Sequence, residues 1–448
     1  MNAKESALLT DLYQLTMLRG YFAERMNATA VFEFFVRKLP QERNFLIAAG
    51  LEQALDFLEG FRFADEELKW LARNPDFPHE YIDHLAELRF TGDVHAMPEG
   101  TVFFPDEPIL RVTAPIAEAQ IVETRLINIL QFQSLIASKA ARCVLAAPGK
   151  QIVDFGFRRS HGAEAGMMAA RASYLAGFDG TSLVLADRLW GIPCFGTMAH
   201  SYVQAHNDED SAFEGFARAN PSRVTLLIDT YDTEAGARKV VALAPKLAAQ
   251  GVRIQAVRLD SGGLADHARK VRQILDAGGL NEVKIFASGG LDEFALEKLA
   301  EAPIDGFGVG TKMNTAADAP YLDCAYKLQE YAGIARRKRS EGKATWPGRK
   351  QVYRSFDGKG HMTGDLLTTE DDEQEGTPLI VQVMANGKRL AESPPLDEIR
   401  EYTLEQLGCL PENLRQLRKA DPGYPVEVST ALRELATEVD AWSGRKAE

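Results

Sequence analysis

At 448 residues the chain is too long for one typical domain, and its length is ample for a large core spread over two or three. Hydrophobic residues make up 45% and charged residues 26%, and 51 Lys+Arg against 64 Asp+Glu leave a formal charge of −13. That balance argues against a nucleic-acid footprint or a surface built for anionic membranes, both of which need a basic face.

The N-terminal stretch MNAKESALLTDLYQLTMLRGYF lacks a charged-then-apolar signal pattern. No apolar run approaches the ~20 residues of a membrane span, so a cytoplasmic protein with no membrane partner is expected. Residues 6–26 carry a helical stripe of Leu8, Leu12, Leu15, Met17, Leu18 and Phe22. The aromatic and β-branched run ATAVFEFFVRKLP then reads as a strand closed by Pro40. Residues 45–91 are helical in pattern, and strand-like pieces follow at 92–113. After Pro115 a long apolar-striped helix runs to the Pro-Gly at 148–149. This first part, 1–145, is expected to be an α+β domain.

From about residue 150 short apolar runs alternate with helical stretches: KQIVDFG, IPCFG, RVTLLID, RIQAVRL, VKIFASGG and DGFGVG. Such alternation indicates a parallel sheet covered on both faces, either doubly wound or a (β/α) barrel. Each of the six units places polar or glycine-rich residues at the C-terminal end of its strand, where barrel enzymes assemble their sites. A barrel therefore explains the distribution better than a sheet with one switch point. No GxGxxG or GxxxxGK[ST] pattern is present. The expected fold class is α/β: an irregular TIM-like (β/α) barrel over 146–344, plus an α+β sandwich domain built from 1–145 and part of the C-terminal segment 345–448. The four cysteines, Cys143, Cys194, Cys324 and Cys409, are scattered without a CxxC, so neither a zinc site nor a disulfide framework is expected.

Several strand ends carry chemistry. In VRLDSGGL, Arg258 offers a planar fork for a carboxylate or phosphate, Asp260 suits sugar hydroxyls or a metal, and two glycines permit close backbone approach. An internal Arg–Asp pair with a glycine turn is the competing reading. In LLIDTYDT, Asp229 faces the same mouth, while Asp232 suits a helix cap. FASGGLDEF and DGFGVGTKMN resemble the two loops that hold a phosphate in many barrels. DFGFRRSHG sets Phe155 and Phe157 beside Arg158 and Arg159, a combination suited to a flat anionic ring. His161 and His206 read as polar surface residues. Lys312 leaves open a Schiff-base aldolase acting on a sugar phosphate, and a barrel that only senses nucleotide is a third reading. The basic run RRKRSEGKATWPGRKQVYR reads equally as a solvated face or an anion-gripping loop.

Taken in order, TDLYQLTM, FEFFVRKLPQERNFLIAAGLE, DFGFRRSHG, FDGTS, GTMAH, LIDTYDT, VRLDSGG, SGG, GFGVGTK and KRSEGKATWPGRKQVYR resemble a nicotinate phosphoribosyltransferase. The resemblance implies condensation of nicotinate with 5-phosphoribosyl 1-pyrophosphate (PRPP) to nicotinate mononucleotide and pyrophosphate in NAD synthesis. It also implies coupling to ATP hydrolysis through a phosphohistidine, an activity formally classed with ligases. By position His200 is that histidine. Asp229 and Asp260 contact ribose or organise Mg²⁺. Lys327, Lys338, Lys343 and Lys350 are candidates for the diphosphate, with Lys338 and Lys343 in the clearest motif. Gly289, Gly290, Gly310 and Thr311 would cradle the 5-phosphate. Phe155 would stack on the pyridine ring and Arg258 or Arg158 would hold its carboxylate. Tyr13, supplied by a second subunit, would cover the other ring face, which implies a homodimer with shared sites. Related nicotinamide phosphoribosyltransferases carry an aspartate where FDGTS has Ser182, so Ser182 favours nicotinate over the amide. Quinolinate phosphoribosyltransferases are shorter and lack the GTxxH histidine.

Overall fold

The computed structural model describes residues 6–445, and the chain divides into two compact units: 1–135 with 321–448, and 136–320. In the first unit, Thr29–Val36 is buried at every position but its first, which marks it as a central strand. It pairs antiparallel with Pro108–Pro115 on one side and with Cys324–Tyr331 on the other. Residues 321–344, which the alternation of the sequence assigns to the barrel, therefore group with the first unit, because Cys324–Tyr331 completes that sheet. Val381–Ala385 joins the same sheet against Asp93–Ala96. A second sheet of this unit is built on the Lys350–Phe356 and Met362–Thr369 hairpin, with Val426–Val428 parallel to its second strand. Its core holds the fully buried Arg354–Asp365 pair.

Local differences from the sequence expectation have local causes. The first helix spans Leu12–Ala23, shorter than 6–26, and Asp11 at its start is extended with its carboxylate taken by Thr124. Within 45–91, Leu46–Ile47 is a strand paired with Val102–Phe103, ahead of three short helices. The long helix after Pro115 is two helices, Ile116–Ile121 and Glu123–Ala146.

The second unit is a curled parallel sheet with strand order 180–181, 151–154, 306–309, 284–288, 254–259, 224–227. The last strand in sequence, Gly306–Val309, pairs with the first, Gln151–Asp154, so the sheet rolls into the barrel-like form. IPCFG contributes one parallel bridge, Thr181 to Cys194, instead of a full strand. The roll stays open between Cys194 and Val224–Leu227, where Arg223 Nη1 reaches the Cys194 carbonyl at 3.3 Å. Val153, Leu226, Leu227, Val257, Leu259, Ile285, Ala287, Phe307 and Val309 are buried, as strands covered on both faces require. Helices follow the strands, and Asp208, Asp232 and Asp292 cap three of them through their carboxylates. The capping reading of Asp232 thus holds. Among the described residues no helix is long and apolar enough to cross a membrane.

Candidate active site

Parallel strands end on the same side of a sheet, so the C-terminal residues of this roll share one mouth. The interior holds a cavity whose lining mixes small residues, Ala256 and Gly308, with larger ones such as Val153, Ile254 and Phe286. A cavity of about 860 Å³ runs from the strand starts to that mouth, where Phe155, Thr197 and Arg258 line it. Its size suits a small ligand.

At the mouth the polar residues form one connected set. Arg258 donates to Thr197 Oγ1 at 2.7 Å, lies 3.5 Å from Asp260 Oδ1, and sits 5.8 Å from the centre of the Phe155 ring. Burial pulls the guanidinium pKa of Arg258 below its usual range, Asp260 and Asp229 oppose that, and the nearby charge of Arg158 adds to it. Arg158 itself is exposed on the Phe157–Arg159 turn, so two cations face one patch. Asp260 Oδ1 accepts from Ser288 at 2.5 Å, and Asp229 Oδ2 accepts from the Asp260 N–H at 2.8 Å and from Ser261 at 2.7 Å. The other oxygen of Asp229 is buried without a partner. His200 begins the short helix His200–Gln204, with Nδ1 3.1 Å from Thr230 Oγ1 and Nε2 3.9 Å from Asp260 Oδ2. If the Nδ1 proton points at Thr230, Nε2 carries the free lone pair, on the Asp260 side.

The glycine turns close the opposite rim. Gly289 and Gly290 both have positive φ, and a Cβ at Gly289 would lie 2.1 Å from the Asp260 carbonyl oxygen. At Gly289 a side chain is excluded on both counts, and at Gly290 it is disfavoured by the positive φ. Asp292 caps Glu293–Leu299 and also holds Lys312 Nζ at 2.6 Å, which links the Gly289–Gly290 turn to the Gly310–Thr311 turn. Lys312 is half exposed and ion-paired, the reverse of the desolvated setting a Schiff-base lysine needs. The aldolase reading loses its support.

Ser182 is exposed at the end of Gly180–Thr181, its N–H donating to the Asp154 carbonyl at 2.8 Å. The neighbouring Asp179 points away into the sheet, where it accepts the Ile152 N–H at 2.8 Å. The second unit thus brings together Phe155, Arg158, Ser182, His200, Asp229, Arg258, Asp260, Gly289, Gly290, Gly310 and Thr311. Tyr13, Lys327, Lys338 and Lys343 belong to the first unit. There Tyr13 is exposed, Lys327 bonds Glu123 at 3.3 Å, and Lys338 and Lys343 lie on the loop before Thr345, with Lys343 exposed. Lys350 is a correction: it is buried, with Nζ 2.7 Å from Glu33 and bonded to two backbone carbonyls, so it is closed to a diphosphate. The sequence reading gave no role to Thr230, Asp154 or Asn314; only the position of Thr230 between the two aspartates of LIDTYDT hinted at one.

Among the described residues no group of three or more His, Cys, Asp or Glu is arranged to hold a metal. Asp229 and Asp260, with one carboxylate oxygen unpartnered, nevertheless fit Mg²⁺ that keeps waters and substrate phosphates as its other ligands.

Sequence models match the chain over residues 8–131 (nicotinate phosphoribosyltransferase N-terminal domain), 150–340 (nicotinate phosphoribosyltransferase family) and 373–436 (nicotinate phosphoribosyltransferase C-terminal domain). A nicotinate phosphoribosyltransferase of Mycobacterium tuberculosis is 51% identical over 429 residues, covering 95% of this chain and 92% of the relative. That of Bacillus subtilis is 35% identical over 475 residues, covering 98% and 94%. The crystal structure of human nicotinic acid phosphoribosyltransferase superposes with a TM-score of 0.86 at 30% identity, covering 96% of this chain and 99% of that one.

Proposed function

The chain belongs to the nicotinate phosphoribosyltransferase family, and from that premise we propose that it joins nicotinate to the phosphoribosyl group of PRPP, with ATP hydrolysis coupled through His200. The observation that carries this reading is the single cluster of Arg258, Asp260, His200 and Asp229 at the mouth of the cavity that Phe155 also lines. In the reaction the pyridine nitrogen forms a bond to C1 of the ribose while the bond from C1 to the diphosphate oxygen breaks. Pyrophosphate leaves with the electron pair.

Phe155 stacks on the pyridine, and Arg258, with Arg158 nearby, holds the carboxylate. That combination accepts a flat anion and gives the neutral amide no ion pair. Ser182 at the rim presents a hydroxyl, and the nearby carboxylate of Asp179 is engaged by the sheet. An aspartate at 182 would repel nicotinate by ~1 to 4 kcal/mol at ~4 Å, depending on the effective dielectric. As the C1 bond breaks, positive charge grows on the ribose, and Asp229 and Asp260 are placed to stabilise it. Those two carboxylates would also hold Mg²⁺, which when bound offsets the charge of the diphosphate. Gly289, Gly290, Gly310 and Thr311 receive the 5-phosphate.

For the coupled step, His200 Nε2 takes the γ-phosphoryl group of ATP as the bond to the ADP oxygen breaks, and water later attacks that phosphorus, breaking the N–P bond to release inorganic phosphate and the free histidine. When the Nδ1 proton is donated to Thr230, Nε2 carries the free lone pair and is the nucleophile. A homodimer in which Tyr13 of a second copy covers the ring completes the site, and Lys327, Lys338 and Lys343 are the diphosphate candidates. The test of this coupling is incubation with γ-labelled ATP and Mg²⁺, followed by recovery of acid-labile phosphate on the protein. Label that is present in the parent and lost in His200→Ala supports it; an equal ADP release and no protein-bound label in either contradicts it.

A further inference from the structure

Asp154 and Asn314, neither of which the reaction above employs, meet beneath the barrel mouth. Asp154 ends the strand Gln151–Asp154 and is fully buried. Its Oδ1 accepts the Gly156 N–H at 2.8 Å, its Oδ2 accepts the Thr181 hydroxyl at 2.9 Å, and its backbone carbonyl accepts the Ser182 N–H at 2.8 Å. Phe155 is therefore held between two anchored residues, with Ser182 fixed beside it.

Asn314 ends the short helix Thr311–Asn314 and is 1% exposed. With its amide oriented to satisfy every neighbour, Nδ2 donates to Asp154 Oδ1 at 2.8 Å and to the Gly310 carbonyl at 3.2 Å, and Oδ1 accepts from Ser160 Oγ at 3.0 Å. One amide thus ties together the Phe155 loop, the end of the turn that carries Arg158, and the Gly310–Thr311 turn. The chain has made room for it. Gly156 has φ −97°, which any residue adopts, yet a Cβ there would sit 2.1 Å from the Asn314 amide carbon. A Cβ at Gly310 would likewise come within 3.0 Å of the Phe155 carbonyl oxygen. These glycines serve close approach between the two loops.

We propose that Asn314 is a positioning residue that holds the Phe155 loop and the Gly310–Thr311 turn in register, so that nicotinate and the phosphoribosyl donor bind interdependently. The inference rests on the substrate assignment made above. Its physics is that of a shared brace. Asp154 Oδ1 keeps the Gly156 N–H and the Gly310 carbonyl keeps the N–H groups of Met313 and Asn314, so losing the amide leaves each loop bonded within itself and removes only the side-chain tie between them, and the two loops relax independently. Each ligand then orders only its own loop, and the coupling between them disappears in both directions, as linkage requires.

The experiment measures the KM of nicotinate at limiting and saturating PRPP, and the KM of PRPP at limiting and saturating nicotinate, in the parent, Asn314→Ala and Gly156→Ala proteins. Gly156→Ala reaches the same brace from the other side, by driving a methyl group into the amide. In the parent each KM is expected to fall about fivefold or more when the other substrate saturates. In both variants that ratio approaches one and both KM values rise, while kcat changes less. A variant pair that keeps the parent's ratio overturns the inference, as does a rise confined to one substrate. Should Asn314→Ala fail to accumulate folded, Ser160→Ala removes one bond from the rim, and an unchanged ratio in it and in Gly156→Ala overturns the inference equally. A parent that turns over nicotinate without interdependence refutes this inference alone; a parent that forms no nicotinate mononucleotide refutes the substrate assignment and this inference with it.

Discussion

Replacing Arg258 with alanine should convert a base-selective site into an indifferent one. The guanidinium is mostly buried, donates to Thr197 at 2.7 Å, lies 3.5 Å from Asp260 and sits 5.8 Å from the centre of the Phe155 ring on which the pyridine would stack. A hydrogen bond to a charged group contributes about 1.5–3 kcal/mol, so removing a two-pronged grip on the carboxylate should cost roughly 3–6 kcal/mol, or about 10² to 10⁴ in kcat/KM for nicotinate. Nicotinamide carries no carboxylate and should suffer far less, so the ratio of the two kcat/KM values should fall by most of that factor. Arg258→Lys keeps the charge without the planar fork and should fall between. The assay is mononucleotide formation with each base, alongside thermal unfolding to confirm that the protein is folded. A folded Arg258→Ala protein with the parent's preference would refute the assignment of the carboxylate to Arg258.

Three further outcomes follow from the geometry. Gly289→Ala adds a Cβ 2.1 Å from the Asp260 carbonyl at φ +98°, so it should displace Asp260 and cut kcat at least about tenfold at unchanged overall secondary structure; full activity would show that the turn tolerates a side chain. Ser182→Asp should raise the KM of nicotinate by roughly fivefold to nearly a thousandfold, from ~1 to 4 kcal/mol of repulsion, with little effect on nicotinamide; equal effects on both bases would argue that residue 182 lies away from the ring substituent. Burial pushes the Asp154 carboxyl up to about 6 from the ordinary 3.8, against the hydrogen bonds from Gly156, Thr181 and Asn314. A raised carboxyl pKa means that the folded chain keeps a proton which the unfolded chain has released. This group's contribution is therefore complete below about pH 3.8 and is lost as pH rises through about 6, at most about 3 kcal/mol. Denaturant unfolding of the parent and Asp154→Asn between pH 4 and 7 should show the parent losing stability relative to the variant across that window; parallel pH curves would contradict the raised pKa.

The barrel was legible because parallel strands buried on both faces appear as short apolar runs, and their ends appear as abrupt polar residues. RIQAVRLDSGG and VTLLIDTYD show both features, and Arg258, Asp260 and Asp229 do meet at one mouth. Pairings between distant segments were not legible. Lys350 sits in a basic run that suggests anion binding, and only the fold reveals Glu33 as its partner across the sheet. Asn314 follows a glycine turn with no pattern to set it apart, because its partners Asp154 and Ser160 are about 150 residues earlier in the chain. The assignment of 321–344 to the barrel failed for a related reason: strand pairing with Thr29–Val36 is set by a register that the local sequence does not display. FLIA within 45–91 is too short for its periodicity to separate strand from helix.

The most direct measurement is mononucleotide formation from PRPP and Mg²⁺ with nicotinate and nicotinamide in parallel, each with and without ATP. The account predicts nicotinate mononucleotide and pyrophosphate in equal amounts, a higher yield when ATP is present, and little product from the amide. Product from nicotinamide alone, or from neither base, would contradict it.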